Sequence, residues 1–292
     1  MRTEEEIKKI ILDLASDEDR IRAVLLNGSR ANSNVKPDKY QDFDIVFIVN
    51  DFDSFITNHK WTNVFGEKII SQHPREMNFG KNDEVDLRFG FTYLMMFSDG
   101  NRIDLTIFPA KHLKTHFKID SLTIVWLDKD NSFSKIEKSN EKDYHILKPT
   151  EKEFTDTCNE FWWVSTNVAK GLLRNEIIYA KELIEVFVRP MFMKLIEWKI
   201  GIETNFSVSS GKSGKYFDKY LEKDFYNKVL KTYSGADLET NWNSLFVMTE
   251  LFEDLENYVS EQLGFTCNKE EQQNVIGYLK ERYEWGRKES KI

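Results

Sequence analysis

LNGSRANSNVKPDKYQDFDIVFIV, residues 26–49, joins a short apolar run to a Gly-Ser turn, twelve mostly polar residues (30–41), and a second apolar run opened by two aspartates. Asp42 and Asp44 stand at i and i+2, so on an extended chain their side chains point to one side and can converge on one or two divalent cations. Gly28 has no Cβ to block close approach, so the turn can bring backbone N–H groups and the Ser29 hydroxyl to phosphate oxygens. A third carboxylate, Asp104, lies in the later run Arg102-Ile103-Asp104-Leu105. If that run pairs beside the Asp42–Asp44 strand, three carboxylates meet at one edge. Such a cluster is self-repulsive without a cation, and Mg²⁺ is the usual partner of carboxylates and substrate phosphates together. A lone D-x-D is common at strand ends and turns. The ordered set of strand, Gly-Ser turn, spacer, paired aspartates and separate strand aspartate is far more specific.

Outward from this stretch, Thr3 and Glu6 have capping-box spacing, followed by Ile7, Ile10, Ile11 and Leu14 at helical period. Arg22–Asn27 reads as a buried strand, Asp44–Val49 as the clearest strand of the chain, and Phe91–Phe97 with Arg102–Phe108 as a hairpin closed by Ser98-Asp99-Gly100-Asn101. The pattern changes near Pro149. Thr150 and Glu153 form a second capping box, and helical periods follow over 175–200, 215–230 and 237–263, with a last helix capped by Asn268 and Glu271. Pro190 should kink or split its helix. The fold class is α+β: a sheet-containing domain over 1–148, then an all-helical domain over 149–292.

Charge and composition narrow the function. The chain has 292 residues, 41 basic against 49 acidic side chains and a net charge of −8, with 40% apolar and 14% aromatic residues. That content supports a sizeable core and makes disorder the poorer reading. Acidic residues exceed basic ones in both halves, so no basic patch announces a nucleic-acid backbone, and no template groove with stacking aromatics supports polymerisation. Cys158 and Cys267 stand far apart without zinc-ligand spacing, which reads as two reduced thiols. With an acidic N-terminus and no long apolar run, the expected location is cytoplasmic, with no membrane partner.

Weaker signals come with plainer readings. Gly211-Lys212-Ser213 looks like the tail of a phosphate-binding loop, but Phe206 stands where that loop needs glycine. Lys212 and Lys215 then either reach a triphosphate or are solvated loop lysines. Trp162 and Trp163 are adjacent on a helix and cannot share one point of a face. One belongs to the core; the other, Trp163 in this reading, would pack on a sugar ring, with Glu160 or Glu182 pairing an amine or guanidinium. The histidines at 59, 73, 112, 116 and 145 show no metal-ligand spacing along the chain.

The carboxylate set resembles the signature of the DNA polymerase beta-like nucleotidyltransferase superfamily. LNGSRANSN (26–34), QDFDIVFIV (41–49), MMFSDGNRIDLTIFP (95–109), DYHILKP (143–149), NEFWWVS (159–165) and WKIGIET (198–204) look like stretches of the aminoglycoside 6-adenylyltransferases, the streptomycin-modifying enzymes. The likeness runs in order from about residue 20 to past residue 215. It implies a nucleotidyltransferase domain with a mixed sheet flanked by helices and a helical domain, with the substrates in the cleft between them. It also implies transfer of AMP from ATP to a streptomycin hydroxyl, releasing pyrophosphate.

Residue by residue, Asp42 and Asp44 match the paired metal ligands. Asp104 matches the third carboxylate, which binds metal, accepts the hydroxyl proton, or does both. Gly28 and Ser29 match the phosphate-contacting turn, and Arg30 either neutralises phosphate charge or forms a surface salt bridge. The expected co-substrate is ATP, the cofactor Mg²⁺ and the acceptor a cationic aminoglycoside. Competing readings are a nucleotidyltransferase acting on another small molecule or a protein hydroxyl, and a non-catalytic, antitoxin-like module of the same fold.

Overall fold

A computed structural model describes residues 1–77 and 87–289, which form two compact units, Met1–Asp143 and Tyr144–Ile292. The last three residues of the expected helical domain, 290–292, lie outside the described residues.

The first unit is built on a mixed sheet of six strands: β1 (Ile21–Asn27), β2 (Phe43–Val49), β3 (Lys68–Gln72), β4 (Phe91–Phe97), β5 (Arg102–Pro109) and β6 (Thr123–Asp128), in the order β3-β4-β5-β2-β1-β6. Only the central β2–β5 pair is parallel; the other neighbours are antiparallel. Helices α1 (Glu4–Asp17), α2 (Phe52–Ile56) and α3 (Leu113–His116) complete the unit. The capping box that opens α1 is complete: Thr3 Oγ1 accepts from Glu6 N, and Thr3 N donates to Glu6 Oε2 at 2.7 Å.

Strand alternation divides the buried residues between the two faces of the sheet. Phe43, Ile45 and Phe47 of β2, with Leu105 and Ile107 of β5 and Phe91 and Tyr93 of β4, pack with Ile7 and Ile11 of α1. Val46 and Ile48 join Ala23, Leu25, Phe108 and Phe133 on the other face. Asp44 and Asp104 belong to this second face, one step along the pleat from Val46 and Thr106.

The hairpin between β4 and β5 turns as expected at Gly100, where φ is +84°. Strands β3 and β6 extend the expected sheet at its two edges. β3 has no buried residue to mark an alternation, with Ile69 and Ile70 both exposed, so its sequence lacks the strand signature.

The second unit is helical: α4 (Glu151–Leu173), α5 (Ile177–Leu183), α6 (Arg189–Glu203), α7 (Phe217–Tyr220), α8 (Lys223–Leu230), α9 (Leu238–Leu263) and α10 (Lys269–Glu289). Its core includes Phe161 stacked on Phe252, with ring centroids 3.5 Å apart. Only half of the second expected capping box forms. Thr150 Oγ1 accepts from Glu153 N at 3.2 Å, while the Glu153 carboxylate faces Lys194 Nζ at 3.7 Å. Pro190 cannot donate to the carbonyl four residues back, and the helix widens into a π-turn over Ile184–Val188 before resuming as α6. The helix expected over 215–230 is interrupted because buried Leu221 turns extended, with φ −88° and ψ 144°. No described helix is long and apolar enough to cross a membrane.

Candidate active site

The parallel pairing of β2 and β5 sets Asp44 directly opposite Asp104, with Asp42 one residue before β2. The adjacency on which the sequence argument depended is therefore present. Gly28 follows β1 beside this pair with φ +72°, and a Cβ there would lie 2.2 Å from Asp44 Oδ2. Any other residue would push the carboxylate aside, so the turn and the acid are shaped for each other. The Gly28 N–H is already given to Leu122 O at 3.2 Å, which anchors the turn to the strand beside it. Ser29 is half-buried, and its carbonyl accepts from Gln41 Nε2 at 3.3 Å.

Electrostatically the cluster is under tension. Burial, then the charges of Asp104 and Asp42, push the Asp44 carboxyl up to about 6. Burial is also the main force raising Asp42, with Arg102 opposing it and Asp104 adding to it. These are the marks of acids brought together to hold a positive charge. Arg102, two residues before Asp104 on the same strand, supplies one. Its Nε and Nη2 donate to the two Asp104 oxygens at 2.7 Å each, and its Nε lies 3.6 Å from Asp42 Oδ2. The sequence reading passed over Arg102; the available signal was its i, i+2 relation to Asp104, which puts both side chains on one face.

Of the two roles expected of Arg30, the salt bridge is present, and the backbone engages the same guanidinium. Its guanidinium donates to Asp42 O at 3.1 Å and Gln41 O at 2.8 Å, pairs with Glu4 at 2.8 Å, and covers the Phe43 ring at 3.8 Å. Its side chain is 7% exposed, so those donors are enclosed rather than offered to a phosphate. Arg30 pins the chain that delivers Asp42.

The remaining candidates belong to the helical unit. Lys212 and Lys215 are exposed on the turn around Lys212–Gly214. Gly211 (φ +70°) makes that turn possible, since a Cβ would meet Lys215 Cγ at 2.6 Å and the Tyr216 ring at 2.7 Å. The tryptophan pair divides as argued. Trp162 is buried with its Nε1 donating to Glu256 Oε2 at 2.8 Å, and Trp163 is 67% exposed. Glu160, partly exposed, shares the face of Trp163 three residues on. Glu182 is exposed on α5 and lines an open groove of about 570 Å³ with Ile178 and Tyr179.

Three hard carboxylates, all half-buried and side by side, suit a hard divalent cation such as Mg²⁺ in donor type and charge. The arrangement can neutralise phosphate charge and receive a proton.

The sequence model described as streptomycin adenylyltransferase matches residues 1–282. Aminoglycoside 6-adenylyltransferases of Bacillus subtilis (strain 168) and Campylobacter jejuni are each 40% identical, over 91% of this chain and over 93% and 91% of their own lengths. One from Staphylococcus aureus is 36% identical over 97% of this chain and its own full length. A crystal structure of an aminoglycoside 6-adenyltransferase from Bacillus subtilis aligns with 97% of this chain and 99% of its own at 34% identity, with a TM-score of 0.47. By the extent of the family match and the identity to these relatives, the chain belongs to the streptomycin adenylyltransferase family.

Proposed function

We propose that this protein transfers AMP from ATP to a hydroxyl of an aminoglycoside, with streptomycin the favoured acceptor and pyrophosphate the leaving group. Family membership makes it an aminoglycoside nucleotidyltransferase. The observation that supports the chemistry is the juxtaposition of Asp44 and Asp104 across the parallel β2–β5 pair, with Asp42 beside them.

Asp42, Asp44 and Asp104 would hold Mg²⁺, which supplies charge neutralisation for the triphosphate and acidifies the attacking hydroxyl. The chain's own groups do the rest. The turn at Gly28 and Ser29 lies against Asp44 and offers the Ser29 N–H and hydroxyl to phosphate oxygens. Arg30 positions Asp42 through the backbone carbonyls of Gln41 and Asp42. In the transfer, the acceptor oxygen bonds to the α-phosphorus and the bond from that phosphorus to the α–β bridging oxygen breaks. The hydroxyl proton passes to a carboxylate of the trio within hydrogen-bond reach.

Lys212 and Lys215 are the triphosphate-facing cations of the helical unit in this reading. Trp163, Glu160 and Glu182 are its contacts for a cationic sugar, an aromatic face and two anions for the amines or guanidinium groups of the acceptor.

Mass spectrometry of streptomycin and other aminoglycosides after incubation with the protein, ATP and Mg²⁺ tests the proposal. An AMP adduct on streptomycin, with pyrophosphate in equal amount, is expected. An adduct on a different aminoglycoside alone would remove the acceptor assignment, and no adduct on any would remove the function.

A further inference from the structure

On the opposite face of the sheet from the three aspartates, the first unit gathers two histidines and a glutamate that the linear sequence keeps apart. His59 opens the turn His59–Phe65, His73 follows β3, and Glu76 ends the short turn Pro74–Glu76. His59 Nε2 lies 3.2 Å from Glu76 Oε1, and His73 Nδ1 lies 2.8 Å from Glu76 Oε2. One donor atom from each of the three residues lies within 4.8 Å of the others. We propose that His59, His73 and Glu76 form a binding site for a transition-metal ion of the Zn²⁺ class, separate from the aspartate cluster.

The proton inventory around His59 carries the argument. Tyr93 is fully buried and has one hydroxyl proton, which it donates to Phe55 O at 2.6 Å. Toward His59 Nδ1, 2.9 Å away, the same oxygen can therefore only accept. The proton on that ring edge belongs to Nδ1, so in the neutral ring Nε2 presents its lone pair toward a carboxylate oxygen. Two acceptors facing each other at 3.2 Å need a positive charge between them. An imidazole whose distal N–H is fixed by a second group, with its other nitrogen aimed at a carboxylate, is the arrangement that metal sites use to orient histidine.

The dimensions also suit the ion. A tetrahedral Zn²⁺ with bonds of roughly 2.0–2.1 Å needs ligand atoms about 3.3 Å apart. The histidines meet different Glu76 oxygens at 3.2 and 2.8 Å and the three donor atoms lie within 4.8 Å of one another, so small side-chain shifts would bring them onto one ion. Two imidazoles and one carboxylate leave a fourth position for water, a ligand set that selects Zn²⁺ or Co²⁺ over Mg²⁺. The histidine rings are held in advance: they lie 4.3 Å apart, with the His59 ring stacked on Phe91 at 5.9 Å and the His73 ring edge-on to Tyr93 at 5.0 Å. Glu76 is exposed, giving the ion an entry path. Bound there, the ion joins the turn at 59–65 to the chain leaving exposed edge strand β3.

Cobalt is the probe, because its visible absorption reports nitrogen ligation and low coordination number. The full-length protein, stripped with chelator and kept in excess Mg²⁺, should bind one equivalent of Co²⁺ with an intense four- or five-coordinate spectrum. Added Zn²⁺ should bleach it. His73→Gln and Glu76→Gln should each lose the band while keeping AMP transfer, and Asp44→Asn should keep the band. Tyr93→Phe should weaken Co²⁺ binding by roughly 10- to 100-fold, as loss of an orienting partner does. Wild-type protein that gives only the weak spectrum of hydrated Co²⁺, or a band that survives both His73→Gln and Glu76→Gln, would overturn the site and leave a shared proton between His59 and Glu76.

Discussion

Two acids, one buried and one half-buried, show how differently this chain treats a carboxylate. Glu256, in the helical unit, is 2% exposed, and burial raises its pKa. Fixed donors answer that burial: Trp162 Nε1 sits 2.8 Å from Oε2 and the Cys267 thiol 3.7 Å from Oε1, with Gln272 Nε2 in turn donating to that sulfur at 3.3 Å. Asp44, in the sheet unit, is raised by burial too, but its nearest titratable neighbours include two more acids. The nearest cation, Arg102, spends its two hydrogen bonds on Asp104. One acid is satisfied by its surroundings; the other awaits a charge. Under the proposed function, that difference separates a structural polar group from a working one.

The two acids should therefore respond to neutralisation with opposite signs. Asp44→Asn should lower AMP transfer by on the order of 10³-fold or more, the several kcal/mol that a lost metal ligand implies. The same substitution should raise stability. In the folded protein Asp44 titrates above its ordinary 3.8, near 6. The folded state thus holds the proton longer than the unfolded chain, and stability falls as pH rises from about 4 to about 6 and stays lower above. Allowing for solvent at the partly exposed site, removing that charge should gain about 1–2 kcal/mol at pH 7 in denaturant titrations without divalent cation.

Glu256→Gln should do the reverse. It places an NH₂ against donors that need an acceptor, costing about 1–3 kcal/mol of stability, with the folded fraction transferring AMP at the normal rate. A gain in stability here would erase the distinction between the two acids.

Smaller effects sharpen the picture. Lys212→Ala and Lys215→Ala should each raise KM for ATP about five-fold, the worth of one partly exposed charge contact near 1 kcal/mol. Arg102→Gln should cost the cation-free protein up to ~1 kcal/mol and enlarge the stabilisation gained from Mg²⁺, because the cation then takes over all of the neutralisation. Trp163→Ala should raise KM for the aminoglycoside about two- to ten-fold and leave KM for ATP unchanged, as loss of one aromatic contact predicts.

The neighbourhood of the three aspartates and most of the sheet are legible in the chain. The paired aspartates, the Gly-Ser turn and the later strand aspartate keep their chemistry in local patterns, and so do β1, β2, β4 and β5, whose apolar residues are buried. Other features depend on partners that sequence order hides. The position of Arg30 after the turn allows a phosphate contact or a salt bridge, and does not reveal the bonds to Gln41 O and Asp42 O, eleven and twelve residues away. β3 shows no alternation because neither of its faces is buried. His59 and His73 meet only because β3 and the turns around it fold against Phe91 and Tyr93. The break at Leu221 is a tertiary decision, in which burial of one leucine outweighs a continuous helical period.

The central claim is that Asp42, Asp44 and Asp104 form a centre whose repulsion is reserved for a divalent cation. The most direct test is thermal unfolding of wild-type and Asp44→Asn protein at pH 7 across a Mg²⁺ titration. The account predicts that the variant begins more stable than wild type, and that wild type alone gains strongly as Mg²⁺ rises. A variant that begins less stable, or that gains as much from Mg²⁺ as wild type does, would contradict it.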